Sequence, residues 1–140
     1  MRRISLMLLV VGLVLIGCGD DPFSVQDALG VWDLRQINGR AISGAAPTGV
    51  WIREAGGSDS TLIVLESITL EFAADSTSCL WTFDDGIQGA VTDDDCAYGI
   101  SQDGDISVDV EDRALQGTAE GAAMTLRDDD TNEFAFEKRM

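Results

Sequence analysis

Ile106-Ser107-Val108-Asp109-Val110 sets an apolar side chain at every second position, with a polar one between. Successive side chains of a β-strand leave opposite faces, so this period of two reads as a strand with one buried and one wet face. The rhythm continues on both sides. Before it, Tyr98 and Ile100 alternate, and Gln102-Asp103-Gly104 supplies a turn. After it come Leu115-Gln116-Gly117-Thr118, a turn near Glu120-Gly121, and Met124 and Leu126 alternating with Thr125 and Arg127. A turn over 128–132 then leads to Phe134 and Phe136, which alternate with Ala135 and Glu137.

The first half repeats the pattern with more interruption. Val31 to Ile37 reads as a strand, with Trp32 and Leu34 sharing a face while Asp33 and Arg35 point away. Asn38-Gly39 follows. Both residues tolerate positive φ, so the pair signals a tight hairpin, with Arg40-Ala41-Ile42 beginning the return. Residues 43–60 are rich in Gly, Ala, Ser and Pro and read as a long loop around a short apolar strand, Val50-Trp51-Ile52-Arg53. Loops of this length in compact domains are usually functional or disordered. Thr61 to Phe72 is strongly β, with a break near Glu66-Ser67. Ala73 to Thr77 turns, and Cys79 to Phe83 forms a strand with Trp81 and Phe83 on one face and Leu80 on the other. Asp84 to Asp95 reads as an acidic loop. About eight short strands at close, even spacing predict an all-β fold, a single antiparallel up-and-down β-barrel over residues 29–140. Such a barrel is filled by side chains or holds one small ligand.

Residues 1–17 stand apart from this pattern. Arg2 and Arg3 precede an apolar run, Ile4 to Ile16, which fits the central region of a secretory signal peptide and falls short of a spanning helix. Leu15-Ile16-Gly17-Cys18 resembles the bacterial lipobox. The resemblance implies a diacylglycerol thioether on Cys18, cleavage before it, and acylation of the new N-terminus. Two or more acyl chains anchor stably where one does not. Residues 18–28 would then be the lipidated cysteine and a tether. The expected location is the cell envelope, held to a membrane through the acyl chains on Cys18. In the sorting rule of such lipoproteins, an Asp directly after the cysteine favours the inner membrane. Gly19 stands there, which points to the outer membrane, on its periplasmic or surface face.

Without residues 1–17 the chain has seven basic and 25 acidic residues, a formal charge of −18, and no histidine anywhere. That charge repels nucleic acid and excludes it as a partner. The missing His removes the commonest general base and the commonest transition-metal ligand. No Gly-x-Ser-x-Gly elbow is present, so no nucleophile constellation can be assembled and no enzyme is expected. Acidic clusters occur at Asp84-Asp85, Asp93-Asp94-Asp95 and Asp128-Asp129-Asp130. None has the spacing of a calcium loop, so they read as solvated turn residues, and neither a metal nor a cofactor is expected.

Cysteine usage agrees with export. With Cys18 carrying lipid, Cys79 and Cys96 remain as an even pair, which in an oxidising compartment reads as a disulfide. A redox role lacks the Cys-x-x-Cys spacing, and a metal site lacks further ligands.

Gly30-Val31-Trp32-Asp33-Leu34-Arg35-Gln36-Ile37-Asn38-Gly39 resembles the opening of small bacterial lipocalin-like lipoproteins, where a Gly-x-Trp-x-Leu strand enters an Asn-Gly or Asp-Gly hairpin. Ser67 to Asp75, Cys96-Ala97-Tyr98-Gly99-Ile100, Ala123-Met124-Thr125-Leu126 and Glu133 to Lys138 are similar to later strands of that family, with Cys96 where the family carries Gly. A META-type domain opens similarly, but its Gly-Cys-Asn motif is absent. The lipocalin-like resemblance implies an eight-stranded barrel, an apolar cavity, and a large first loop, here 43–60, as lid. Trp32, Trp51, Trp81, Tyr98, Phe134 and Phe136 are the candidate cavity residues. The function expected is the holding of a small hydrophobic ligand. The alternative is an envelope protein-interaction or structural module, inhibitor-like or an assembly factor, with a barrel filled by its own side chains.

Overall fold

The computed structural model describes residues 22–54, 58–111 and 113–140. The expected signal segment and Cys18 lie outside the described residues. One helical turn, α1 (Val25–Ala28), precedes the strands. The strands are β1 (Gly30–Ile37), β2 (Arg40–Ala41), β3 (Thr48–Glu54), β4 (Asp59–Leu65), β5 (Ser67–Phe72), β6 (Cys79–Asp84), β7 (Ala90–Asp93), β8 (Ala97–Ile100), β9 (Asp105–Val110), β10 (Arg113–Glu120), β11 (Ala123–Arg127) and β12 (Glu133–Lys138). The all-β expectation holds.

Nine strands form one antiparallel sheet in the order β7-β6-β5-β1-β12-β11-β10-β9-β8, with the short β2 paired to β1. The sheet curls into a half-barrel. Neighbours in sequence are mostly neighbours in the sheet. The exception is β1, which takes β12 on one side and β5 on the other, and so brings the two ends of the domain together. Where the sheet's two ends approach each other, a single bridge joins Ser78 to Ala97. Next to it the Cys79 amide donates to the Cys96 carbonyl at 3.1 Å and the Tyr98 amide to the Thr77 carbonyl at 2.9 Å. The Cys79–Cys96 disulfide fastens this point, its Cα atoms 5.0 Å apart. Among the described residues no ladder joins β7 to β8, so the expected closed barrel of about eight strands is here a curled sheet of nine with an open seam.

The concave face is packed by its own side chains. Trp32, Leu70, Val108, Leu115 and Leu126 are all but inaccessible to solvent. The buried Trp32 indole N–H donates to the Ala28 carbonyl at 2.9 Å, so its polar atom is satisfied, and Phe23 meets its ring edge-on at 6.2 Å. The segment expected to be a tether ending in a helical turn packs on the core through Phe23, Val25 and Ala28. A bulge at Arg35 shifts the register of β1 against β12 between Leu34 and Gln36. The inward phase moves with it, from Trp32 and Leu34 to Ile37. Asn38 and Gly39 then take φ of 51° and 81° and turn the chain into β2.

Two expectations about loops are corrected. Residues 43–60 are not a long loop with one isolated strand. Thr48–Glu54 pairs with Asp59–Leu65 over seven registered positions, a β3–β4 hairpin separate from the main sheet. Its inner face buries Val50, Ile52 and Leu65, each worth about 1.5–3 kcal/mol of apolar transfer. Asp84 to Asp95 likewise contains β7, which pairs with β6 from Trp81↔Asp93 to Asp84↔Ala90. Acidic composition hides this strand because it is mostly exposed and is held by the backbone ladder.

Candidate functional site

The unclosed part of the seam is a half-open cleft of about 670 Å³. Its apolar lining is Trp81 and Phe83 of β6, Val91 of β7, which is 66% exposed, Val110 of β9 and Ala114 of β10. Antiparallel pairing places Val91 directly opposite Phe83, and Asp93 opposite Trp81. The Trp81 ring meets Phe134 and Phe136 edge-on at 6.3 and 6.0 Å, which fixes it against the packed interior. At the base, the Glu111 amide donates to Asp93 Oδ2 at 3.0 Å and ties the β9–β10 turn to β7. Glu111 holds φ at 48°, a left-handed value that lets its amide turn toward Asp93.

The 128–132 loop forms one wall. Asp128 is its centre: its carboxylate pairs with Arg113 and accepts from the Asn132 amide at 2.9 Å, the Asn132 Nδ2 at 2.9 Å and the Asp130 amide at 3.0 Å. Asn132 is fully buried. Its Oδ1 accepts from the Arg53 amide at 2.7 Å, and its Nδ2 donates to the Arg53 carbonyl at 2.8 Å. Asn38 joins the same network, donating to Asn132 Oδ1 at 3.0 Å and accepting from the Glu133 amide at 2.9 Å. The hairpin is thereby pinned beside the cleft, where Glu54 at the end of β3 contributes to the rim.

Of the six expected cavity residues, Trp81, Phe134 and Phe136 meet ring to ring, while Trp32, Trp51 and Tyr98 lie elsewhere. Trp32, Tyr98, Phe134 and Phe136 are buried in the packed interior. Tyr98 packs against Phe72 with the rings tilted and their centres 4.5 Å apart, and it donates to the Ala73 carbonyl at 2.8 Å. Burial, with the Asp75 carboxylate adding to it, raises the Tyr98 phenol above its usual range. Trp81 alone of the six lines the cleft. Trp51 sits in the regular strand β3, not in a loop, and is 62% exposed, opposite the half-exposed Leu62 of β4.

The acidic clusters do local work. Asp84 caps the Gly86 amide, Asp85 the amides of Ile87 and Gln88, and Asp93 the amide of Asp95. These donors lower the Asp85 carboxyl below its usual range, the Ile87 amide most of all. In the turn before β6, Asp75 accepts from the Ser78 hydroxyl and from the Ser78 and Thr77 amides at 2.8 and 2.9 Å. The Ser78 hydroxyl, then the two amides, hold its carboxyl down at about 2. Asp93, Asp94 and Asp95 bring carboxylate oxygens within 4.8 Å of one another on the surface.

Sequence reading missed Phe83, Val91, Val110, Asp128 and Asn132 as site residues. Their only local signals were alternation in β6 and β9 and a turn rich in Asp and Asn. Comparison of the chain with protein-family models, with curated proteins and with solved structures gave no match.

Proposed function

We propose that this chain is a lipid-anchored cell-envelope binding module, held to the membrane at Cys18, whose half-barrel takes one small apolar ligand at its open seam. The observation that carries the reading is the cleft itself. At about 670 Å³ it falls within the range of roughly 300–1,000 Å³ typical of ligand pockets, and aromatic and aliphatic side chains share its lining with carboxylates. The ligand would rest on Trp81 and Phe83, not in the barrel's centre, which is occupied by the core. The lipocalin-like resemblance and the lipobox support the same assignment: a meander that carries a ligand, set by its anchor at an envelope membrane. In that setting β3–β4 takes the place given to a lid. Titration with the neutral fluorophore N-phenyl-1-naphthylamine tests the reading. Saturable binding that is lost on Phe83→Asp but kept on Trp51→Ala is expected, and no saturable binding would refute it.

A second reading is favoured by the outer face of the hairpin, where Trp51, Leu62 and Val64 are exposed together. In that case the chain is an envelope protein-interaction module, and the filled interior is scaffold. Cross-linking from position 51 to a defined envelope protein, with no ligand in the cleft, would favour this alternative.

A further inference from the structure

We propose that the free edge of β4 is a docking site for an extended peptide of a partner protein, which adds to the hairpin as a third strand. The peptide carries apolar residues at alternate positions and basic residues at its ends. The site lies apart from the seam cleft and goes beyond the reading of that cleft, which stands or fails without it.

The hydrogen-bond phase of the hairpin follows from its β3 side. Trp51 and Arg53 turn backbone groups away from β4: the Trp51 carbonyl accepts from Asn38 Nδ2 at 3.2 Å, and the Arg53 amide and carbonyl meet the Asn132 side chain. In an antiparallel pair, opposite residues either exchange both bonds or turn both sets of groups outward. Gly49↔Val64, Trp51↔Leu62 and Arg53↔Ser60 are therefore outward pairs. The amides and carbonyls of Ser60, Leu62 and Val64 point away from β3, along the outer edge of β4. Among the described residues no strand pairs with that edge, and none of these groups has a hydrogen-bond partner. Two asparagines cover one edge of the hairpin, and the other is bare.

A bare edge is a template for pairing, and proteins blunt such edges with charge, proline or a bulge. None of these is present from Ser60 to Leu65. The run Ser60-Thr61-Leu62-Ile63-Val64-Leu65 holds no charged residue, in a chain where 24% of residues are charged, and it pairs with β3 without a register shift. The main sheet differs, since its two ends meet at the Ser78–Ala97 bridge. Main-chain bonds to an open edge supply affinity, and side chains at alternate positions supply selectivity. Here those side chains are Leu62 and Val64, both half-exposed, so apolar residues of the incoming strand would lie beside them.

The charge of the partner follows from the ends of the run. Asp59 and Glu66 bracket it, and the chain carries a formal charge of −16. Basic ends on the incoming strand are attracted there. A second copy is disfavoured: β4 laid antiparallel on its twin about Leu62 would bring Asp59 and Glu66 carboxylates together at both ends, and like charges across strands destabilise.

Two fluorescein-labelled peptides test this by anisotropy: Lys-Thr-Val-Thr-Val-Thr-Val-Lys, and the same sequence with Glu at both ends. The intact protein is carried in phosphatidylcholine nanodiscs, with empty nanodiscs as the blank. The basic-ended peptide should bind saturably, about tenfold tighter than the acidic-ended one at low salt. Added NaCl should narrow the gap. Hydrogen exchange read residue by residue should show the Ser60, Leu62 and Val64 amides faster than those of Thr61 and Ile63 in the free protein, and slowed by the peptide. Leu62→Pro removes an edge amide and no bond of the β3–β4 ladder, and should weaken the peptide about tenfold. The exchange pattern of the unaltered protein decides the matter if that variant does not fold. No saturable binding, or slowed exchange that spares Leu62 and Val64, would overturn the proposal. Equal affinities for the two peptides would overturn the partner's assigned charge. Edge amides that are protected in concentrated protein and released on dilution would assign the edge to a second copy and overturn the proposal as well. Fluorophore binding at the seam is a separate readout, so none of these results decides the cleft.

Discussion

The Asn132 side chain stands in for a β-strand residue opposite Arg53. Its carboxamide accepts from the Arg53 amide at 2.7 Å and donates to the Arg53 carbonyl at 2.8 Å, the two bonds a paired strand would make. The end of β3 is thus satisfied by one side chain reaching across from the 128–132 loop. Asn132→Leu keeps the volume and removes both bonds, leaving the Arg53 N–H and carbonyl without their Asn132 partner, while the Asn38 amide keeps the Trp51 carbonyl. A loss of about 2–4 kcal/mol is expected, since each stranded buried group costs about 1–3 kcal/mol. Urea denaturation gives the loss. Hydrogen exchange locates it, with amides of β3 and β4 losing protection and those of β9 to β11 keeping theirs.

The Cys79–Cys96 bond closes a loop with a sequence separation of 17 beside the single Ser78–Ala97 bridge. The chain-entropy treatment gives about 3 kcal/mol for a loop of this size. Replacing both cysteines with alanine should lower the unfolding free energy by about that amount. An unchanged denaturation midpoint under reductant would show that the bond does not hold the seam.

Gly117 lies in the interior of β10, opposite Leu126. A Cβ there would stand 1.8 Å from the Thr125 carbonyl oxygen, which is backbone and cannot swing aside. Gly117→Ala should cost about 3 kcal/mol or prevent β10 and β11 from pairing, at the severe end of overpacking. Gly121 is the control. Its φ is +60°, but no atom lies within 4 Å of a Cβ there, so alanine should cost only the left-handed penalty of about 1–2 kcal/mol. Thermal melts of the two variants make the comparison.

Asp75 gives a pH signature. Its folded carboxyl sits at about 2 against the usual 3.8, so the unfolded chain binds the proton more tightly. Its contribution is therefore fully present above the unfolded value and is lost as pH falls from 3.8 through about 2. The difference in urea midpoint between wild type and Asp75→Asn should be constant near neutral pH, shrink across that window and vanish below it. A difference that persists unchanged in strong acid would show that the Ser78 and Thr77 bonds do not depend on the charge.

Much of the sheet was legible because regular strands show their buried face as period two. Ile106, Val108 and Val110 are buried as the alternation requires. The pattern fails where the backbone departs from regularity or where a strand has no buried side. At the Arg35 bulge the phase slips, and no side chain announces it. In β7 nearly every side chain is exposed, so its sequence looks like a loop. In β3–β4 both Val50 to Arg53 and the apolar run from Thr61 stood out, but not their pairing, because the second runs almost straight on into β5. The cleft was hidden for a different reason. Its residues come from β3, β6, β7, β9, β10 and the 128–132 loop, and only the curl of the sheet brings them to one place. Trp51 and Trp81 look alike as aromatics in apolar stretches, yet one faces solvent and the other the cleft. The pairing of their strands decides that, not their neighbours in sequence.

In the proposed function a small apolar body binds at the seam, over Trp81 and Phe83. Two-dimensional NMR during titration with 1-naphthylmethanol tests it most directly. Saturable shifts should gather on the Trp81 indole N–H and the amides of Phe83, Val91, Val110 and Ala114, with Trp32 and Trp51 unmoved. Shifts confined to Trp51 and Leu62, or no saturable shift anywhere, would contradict it.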